Sequence, residues 1–162
     1  KHLRTPLTVP TLGKVYLGSH HTDDKEHKTA KPLPDVRVIL DHMRLPKGWM
    51  GGAGTDITLD GFSTISVIWP DFGAIPVAHL DFVVDHIMDL VRDGKIVEIG
   101  CHGGHGRTGS LAAGLLIKAS RFTAKGAVKR VRSAYCDRAI ESKTQETMLE
   151  EYATFLRNEM EG

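Results

Sequence analysis

The chain has 162 residues, with 21 Lys+Arg against 20 Asp+Glu; that is enough for one domain with a substantial core and too short for two comfortable ones. Balanced charge excludes the strongly basic and strongly acidic classes, so nothing in the total argues for nucleic acid or a membrane surface as partner. Two cysteines exclude a disulfide framework, and apolar runs that end quickly in Lys or Asp leave no membrane-spanning helix.

In chain order, Lys1–Pro10 carries Pro6 and Pro10 among polar residues and predicts an extended N-terminal arm, taken to reach residue 13. Lys14–Leu17 is strand-like and stops at Gly18. Ser19–Pro34 is polar, with His20, His21, Asp23, Asp24, Lys25 and His27, and predicts a long surface loop; its histidines and aspartates read as composition rather than as a metal site. Val36–Leu40 predicts a core strand. Asp41–Asp60 is glycine-rich, and its G-G-A-G lacks the G-K-[S/T] that a nucleotide-binding loop requires. Ser63–Trp69 alternates polar and β-branched residues, predicts the next strand, and runs into Trp69-Pro70-Asp71-Phe72-Gly73. Ala78–Arg92 sets Leu80, Val83, Ile87 and Leu90 at helical spacing opposite Asp81, Asp85 and Asp89, and Asp93-Gly94 closes that helix. Lys95–Gly100 predicts a buried strand. Helices are predicted over Thr108–Ala119, with Thr108 as N-cap, over Ala124–Tyr135, and over Lys143–Arg157.

Between the last predicted strand and the helix after it lies Gly100-Cys101-His102-Gly103-Gly104-His105-Gly106-Arg107-Thr108-Gly109-Ser110. A loop this rich in glycine can turn its backbone N–H groups inward around an anion. It opens a helix whose first N–H groups and dipole favour negative charge at the same point. Arg107 adds a planar fork that fits two phosphate oxygens. Cys101 would sit at the bottom of that cradle, where the same positive field stabilises a thiolate, so nucleophile and oxyanion site share one loop. Other readings stay open. A lone Cys is often a small buried hydrophobe, and Cys101, His102 and His105 are also zinc-type donors, although Cys136 brings no motif that would supply a fourth ligand. Cys136 itself reads as a buried structural thiol in preference to a redox partner.

The loop resembles the signature H-C-x-x-G-x-x-R-[S/T] of the cysteine-dependent protein tyrosine phosphatase superfamily, with Cys101, Gly104, Arg107 and Thr108 matching and Gly100 in place of the usual histidine. Trp69–Gly73 resembles the mobile acid loop of classical members, and Arg138–Gln145 their [IV]-[QE]-[ST]-x-x-Q loop, with Glu141 where classical members have the water-positioning glutamine. Size matches the compact dual-specificity group. Low-molecular-weight phosphatases and rhodanese-like loops match poorly in motif order or spacing. The resemblance implies an α/β fold in one domain over residues 1–162, a central mixed sheet flanked by helices with the loop at a strand's carboxyl end. It implies Cys101 as nucleophile, Arg107 and the loop residues His102, Gly103, Gly104, His105 and Gly106 as phosphate ligands, and Asp71 as acid and then base. Thr108 would help the thiol depart in the second step, and Gln145 would support the loop or the water. A leaving oxygen needs a positioned proton donor near neutral pH, which is the chemical reason for an acid at Asp71.

The expected reaction is hydrolysis of a phosphomonoester, on phosphotyrosine and by extension phosphoserine or phosphothreonine, through a phosphocysteine. Neither cofactor nor metal is required, since N–H groups and arginine supply the positive field. The partner is then a phosphorylated protein or small phosphorylated molecule. C-H-G-G-H-G-R-T-G also resembles the C-K-A-G-K-G-R-T-G loop of phosphoinositide 3-phosphatases, with His102 and His105 at the lysine positions, which makes a polyphosphorylated substrate the alternative. A catalytically weak phosphate- or phosphopeptide-binding module is the alternative of another class. A catalytic thiolate favours a reducing compartment and no secretory leader is visible, so a cytoplasmic location is expected.

Overall fold

The computed structural model describes residues 4–19, 31–40 and 63–161. The expectations for His20, His21, Asp23, Asp24, Lys25 and His27 and for the glycine-rich stretch 41–60 lie outside them. Five strands, β1 (Thr5–Val9), β2 (Gly13–Ser19), β3 (Val36–Leu40), β4 (Ser63–Val67) and β5 (Val97–Cys101), form one sheet in the order β1-β2-β5-β3-β4. β1 runs antiparallel to β2, and the other pairs are parallel, so the sheet is mixed.

The expected extended N-terminal arm is instead a strand of the sheet over Thr5–Val9. Thr5–Val9 is an edge strand in register with Leu17–Gly13, and Arg4 Nε sits 2.8 Å from Glu98 Oε2 on the central strand. Pro6 is admissible because an edge strand has one side that need not donate to a neighbour. Leu7 and Val9 point into the core while Pro6 and Thr8 face out, the period-2 pattern of a strand with one buried face. Thr11, with φ 69°, turns the chain between β1 and β2.

β5 is buried along its whole length, as a central parallel strand covered on both faces must be. Its last residue, Cys101, is level with Ser19 of β2 and Leu40 of β3. The thiol therefore stands at the carboxyl edge of the sheet, the edge where open parallel sheets place their ligands.

Four helices follow: α1 (Val77–Arg92), α2 (Gly106–Ser120), α3 (Ala124–Ala134) and α4 (Lys143–Glu161). α2 is the hub, buried from Gly106 to Ile117 and packed by α1, α3 and α4. Small residues let its neighbours approach. A Cβ on Gly109 would lie 2.8 Å from Ala139 Cβ, and one on Gly114 would lie 3.3 Å from Val84 of α1. Arg121 takes φ 57° to end α2, and Thr123 caps α3 by accepting the Gly126 N–H. α1, α2 and α4 are also tied by Asp81, which accepts hydrogen bonds from Tyr152 Oη at 2.7 Å and Lys118 Nζ at 2.8 Å. Burial, reinforced by that carboxylate, pushes the Tyr152 phenol's ionisation up, so the hydroxyl stays a donor. No helix among the described residues is long and apolar enough to cross a membrane.

Candidate active site

The site is assembled from four segments that the sheet and α2 bring to one edge. β5 delivers Cys101, which is 2% exposed. The loop 102–105 turns over it, with φ 79° at Gly104, a conformation that other residues rarely adopt. α2 begins at Gly106, two residues earlier than expected, so Thr108 is not its N-cap. The cap position is His105, whose side chain makes no capping bond. Thr108 instead lies inside the first turn, fully buried, and its Oγ1 donates to Cys101 Sγ at 3.0 Å and lies 3.4 Å from the Gly18 carbonyl.

Arg107 is 3% exposed. Its Nη1 donates to the Trp69 carbonyl at 3.2 Å, its Nη2 is 3.5 Å from Asp71 Oδ1, and its Nε is buried with no hydrogen-bond partner. The 69–73 turn is braced from within, because Trp69 Nε1 donates to the Gly73 carbonyl at 2.7 Å and the Gly73 N–H to the Pro70 carbonyl at 2.9 Å. Phe72 adopts φ 58° and lends its N–H to Asp71 Oδ1 at 3.1 Å. These bonds leave the Asp71 carboxylate half-exposed over the buried guanidinium.

The 138–145 loop closes the other side. Arg132 of α3 holds it by donating to the Ala139 and Ile140 carbonyls, both at 2.9 Å. Gln145 is fully buried; its Oε1 accepts the Glu141 N–H at 2.8 Å, and its Nε2 has no hydrogen-bond partner. Glu141 Oε1 accepts the Gly106 N–H at 2.9 Å, so that one N–H at the start of α2 is taken by a carboxylate. The cap of α4 is Ser142, whose Oγ accepts the Gln145 N–H at 3.1 Å and donates to the Phe72 carbonyl at 2.7 Å. That second bond joins the 138–145 loop directly to the turn that carries Asp71.

Of the two loop histidines, His102 is exposed, whereas His105 Nδ1 lies 3.2 Å from Cys136 Sγ. The His105 ring is thus engaged with Cys136, just past α3. Cys136 is buried and also accepts the Arg138 N–H at 3.4 Å. Among the described residues no group of three or more His, Cys, Asp or Glu side chains is gathered as a metal site.

Three contacts in the site had no signal in the sequence. Ser19 Oγ donates to the Gly103 carbonyl at 2.9 Å, Tyr135 Oη to the Gly104 carbonyl, and Ser142 Oγ to Phe72. Tyr135 is buried, and burial, with Cys101 and Cys136 close by, pushes its ionisation up.

Two donors in the site, Arg107 Nε and Gln145 Nε2, are buried without a partner. Such groups are costly unless something satisfies them. A helix N-terminus, a thiol at a strand end and a half-exposed carboxylate stand beside them. Residues 16–121, well over half of the chain, match the family model described as polymorphic toxin system, DSP-PTPase phosphatase. The chain belongs to this DSP-PTPase family, within the cysteine-dependent protein tyrosine phosphatase superfamily. It is 37% identical over 89 residues to an uncharacterized protein of Methanocaldococcus jannaschii, covering 55% of this chain and 58% of that one. It is 36% identical over 91 residues to protein tyrosine phosphatase domain-containing protein 1 of Danio rerio, covering 54% of this chain and 12% of that one. The chain thus spans little more than half of the first of these relatives and a small part of the second. Among solved structures, the active form of Tk-PTP superposes with TM-score 0.73 at 26% identity, over 88% of this chain and 92% of that one. PTPMT1 in complex with PI(5)P superposes with TM-score 0.71 at 14% identity, over 90% and 94%, a likeness of fold.

Proposed function

We propose that the protein hydrolyses phosphomonoesters in two steps at Cys101. The Cys101 thiolate attacks phosphorus in line while the loop N–H groups and Arg107 hold the equatorial oxygens. The P–O bond to the leaving group breaks, and Asp71 protonates the departing oxygen. Water, with Asp71 as base, then attacks the phosphocysteine; the P–S bond breaks, and inorganic phosphate leaves. In that step Thr108 Oγ1, already on Cys101 Sγ, stabilises the thiolate as it departs. The observation that carries this reading is the convergence on one buried thiol of the Thr108 hydroxyl at 3.0 Å and the start of α2, with Arg107 paired to Asp71 beside it. A binding module needs the cradle but has no use for a hydroxyl on the sulfur and a carboxylate over the arginine.

For the substrate, phosphotyrosine-type monoesters are the first choice. His105 is turned to Cys136, so of the two histidines that would add charge for a polyphosphorylated substrate only His102 is exposed. The test is turnover of p-nitrophenyl phosphate followed by a panel of phosphotyrosyl, phosphoseryl and phosphothreonyl peptides and phosphoinositides, with vanadate as inhibitor. Phosphotyrosyl peptides are expected to give the highest kcat/KM, and all turnover is expected to be vanadate-sensitive. Absence of vanadate-sensitive turnover would leave the binding module as the reading, and preferential turnover of phosphoinositides would transfer the assignment to the polyphosphorylated class.

The Ser142 bond gives this reading a kinetic consequence. If it holds the acid turn down over Arg107, Ser142→Ala frees a turn that must then close during each turnover. The variant also removes the α4 cap on the Gln145 N–H, and loss of the Phe72 bond by itself corresponds to about tenfold in rate. We expect kcat for phenyl phosphate to fall by that order, with a smaller fall for p-nitrophenyl phosphate, whose leaving group needs its proton less. Equal falls for the two substrates would show that Ser142 does not act through Asp71.

A further inference from the structure

The loop over Cys101 has two successive carbonyls held by side chains from outside it. Ser19, the last residue of β2 and 6% exposed, donates to the Gly103 carbonyl at 2.9 Å. Tyr135, just past α3 and 9% exposed, donates to the Gly104 carbonyl. In a planar trans peptide the C=O and the next N–H point in opposite directions. Fixing the Gly103 oxygen therefore fixes the Gly104 N–H, and fixing the Gly104 oxygen fixes the His105 N–H. The glycines' own backbone preference does not fix them, because Gly103 and Gly104 tolerate both signs of φ and so both orientations of these peptide planes. A flipped plane would present a carbonyl oxygen to an anion in place of a donor, exchanging attraction for repulsion.

We propose that Ser19 and Tyr135 are positioning residues that hold the Gly103–Gly104 and Gly104–His105 peptide planes with their N–H groups toward the substrate phosphate. The inference rests on the phosphate-loop reading above. The two hydroxyls pull on adjacent planes from different elements, one from the sheet and one from the helical layer. The loop is thus aligned by the framework on both sides before any anion arrives. Tyr135 suits the task because its burial keeps the phenol protonated, and a protonated phenol remains a donor at every pH at which Cys101 chemistry proceeds. The alternative is that both hydroxyls only satisfy buried carbonyls and contribute to stability.

Tyr135→Phe and Ser19→Ala each remove one oxygen and leave the packing nearly intact. The measurement is competitive inhibition of p-nitrophenyl phosphate hydrolysis by inorganic tungstate, beside the thermal midpoint of each variant with and without tungstate. A purely structural bond would lower the midpoint and leave the inhibition constant alone. The positioning role predicts an inhibition constant raised about tenfold in each variant, the order of one hydrogen bond, and more in the double variant. kcat/KM should fall in parallel, and tungstate should raise the midpoint less than it does in the wild type. Unchanged inhibition constants in both single variants overturn the proposal whatever happens to the midpoints. If one variant fails to fold, the other decides by the same criterion. A wild-type protein that neither turns over the ester nor is stabilised by tungstate overturns the phosphatase reading, and this inference with it.

Discussion

Cys101→Ser is expected to lower kcat/KM for p-nitrophenyl phosphate by about 10⁴-fold or more, the scale seen when a nucleophile that acts as part of a unit is removed, while tungstate still binds. The expectation follows from what Cys101 is placed to do. Its sulfur is buried at the end of the central strand and accepts the Thr108 hydroxyl. A serine hydroxyl in the same place stays protonated near neutral pH and has no adjacent general base to take its proton. The proposed cradle does not depend on the sulfur, because its proposed donors are the loop N–H groups and Arg107, so anion binding should survive the exchange. Steady-state kinetics and tungstate-dependent thermal shifts on the same preparation separate the two effects. Activity that persists in Cys101→Ser would remove the nucleophile from the mechanism, whereas joint loss of activity and tungstate binding would mean that the thiol mainly holds the loop together.

Asp71→Asn is expected to slow phenyl phosphate by about 10²–10⁴-fold, the usual contribution of a positioned general acid, and p-nitrophenyl phosphate much less. Asparagine keeps the size of the side chain and its Oδ1 can still accept the Phe72 N–H, so the geometry of the 69–73 turn should hold while the transferable proton is lost. The diagnostic quantity is the dependence of kcat/KM on the basicity of the leaving group across a series of aryl phosphates. It should steepen in Asp71→Asn, because charge on the departing oxygen is no longer neutralised as it forms. A series that falls uniformly, with no change in steepness, would make Asp71 an electrostatic partner of Arg107 and send the search for the acid elsewhere. Glu141 is then the next carboxylate to test, since it already touches the loop at Gly106.

Much of the fold was legible because the elements that build it repeat their pattern over many residues. The helices now placed at Val77–Arg92, Ala124–Ala134 and Lys143–Glu161 carry apolar stripes that set one end or both within about a turn. The strands Val36–Leu40 and Val97–Cys101 are short apolar runs between breaks. The edge strand Thr5–Val9 escaped because Pro6 and Pro10 count as breakers in isolation, and only the neighbouring strand shows that Pro6 sits at an edge. Helix α2 begins two residues before its expected start, because Gly106 and Arg107 look like loop in the sequence while both are buried in the first turn of the helix. In the candidate site, the contiguous stretch Cys101–Thr108 and the turn with Asp71, which the structure brings together, stood out in the sequence because their residues are neighbours. The supports could not. Ser19 reaches Gly103 across 84 residues of sequence, Ser142 reaches Phe72 across 70, and Tyr135 reaches Gly104 across 31. A serine at a strand end or a tyrosine at a helix end has no local mark of such a task. Glu141 departs from the usual glutamine, but its bond to the Gly106 N–H brings the 138–145 loop against the start of α2 and has no mark in its neighbouring residues.

The central claim is that phosphorus passes through a covalent bond to Cys101. The direct measurement is mass spectrometry of the protein quenched within its first turnovers, with a wild-type sample, an Asp71→Asn sample and a Cys101→Ser control mixed with an aryl phosphate that has a good leaving group. Because Asp71 is the proposed base for hydrolysis of the intermediate, the Asp71→Asn protein should accumulate one phosphoryl group on the peptide that contains Cys101, the wild type less, and Cys101→Ser none. A phosphoryl group on any other residue, or full turnover with no covalent phosphate on Cys101 at any quench time, would contradict the account.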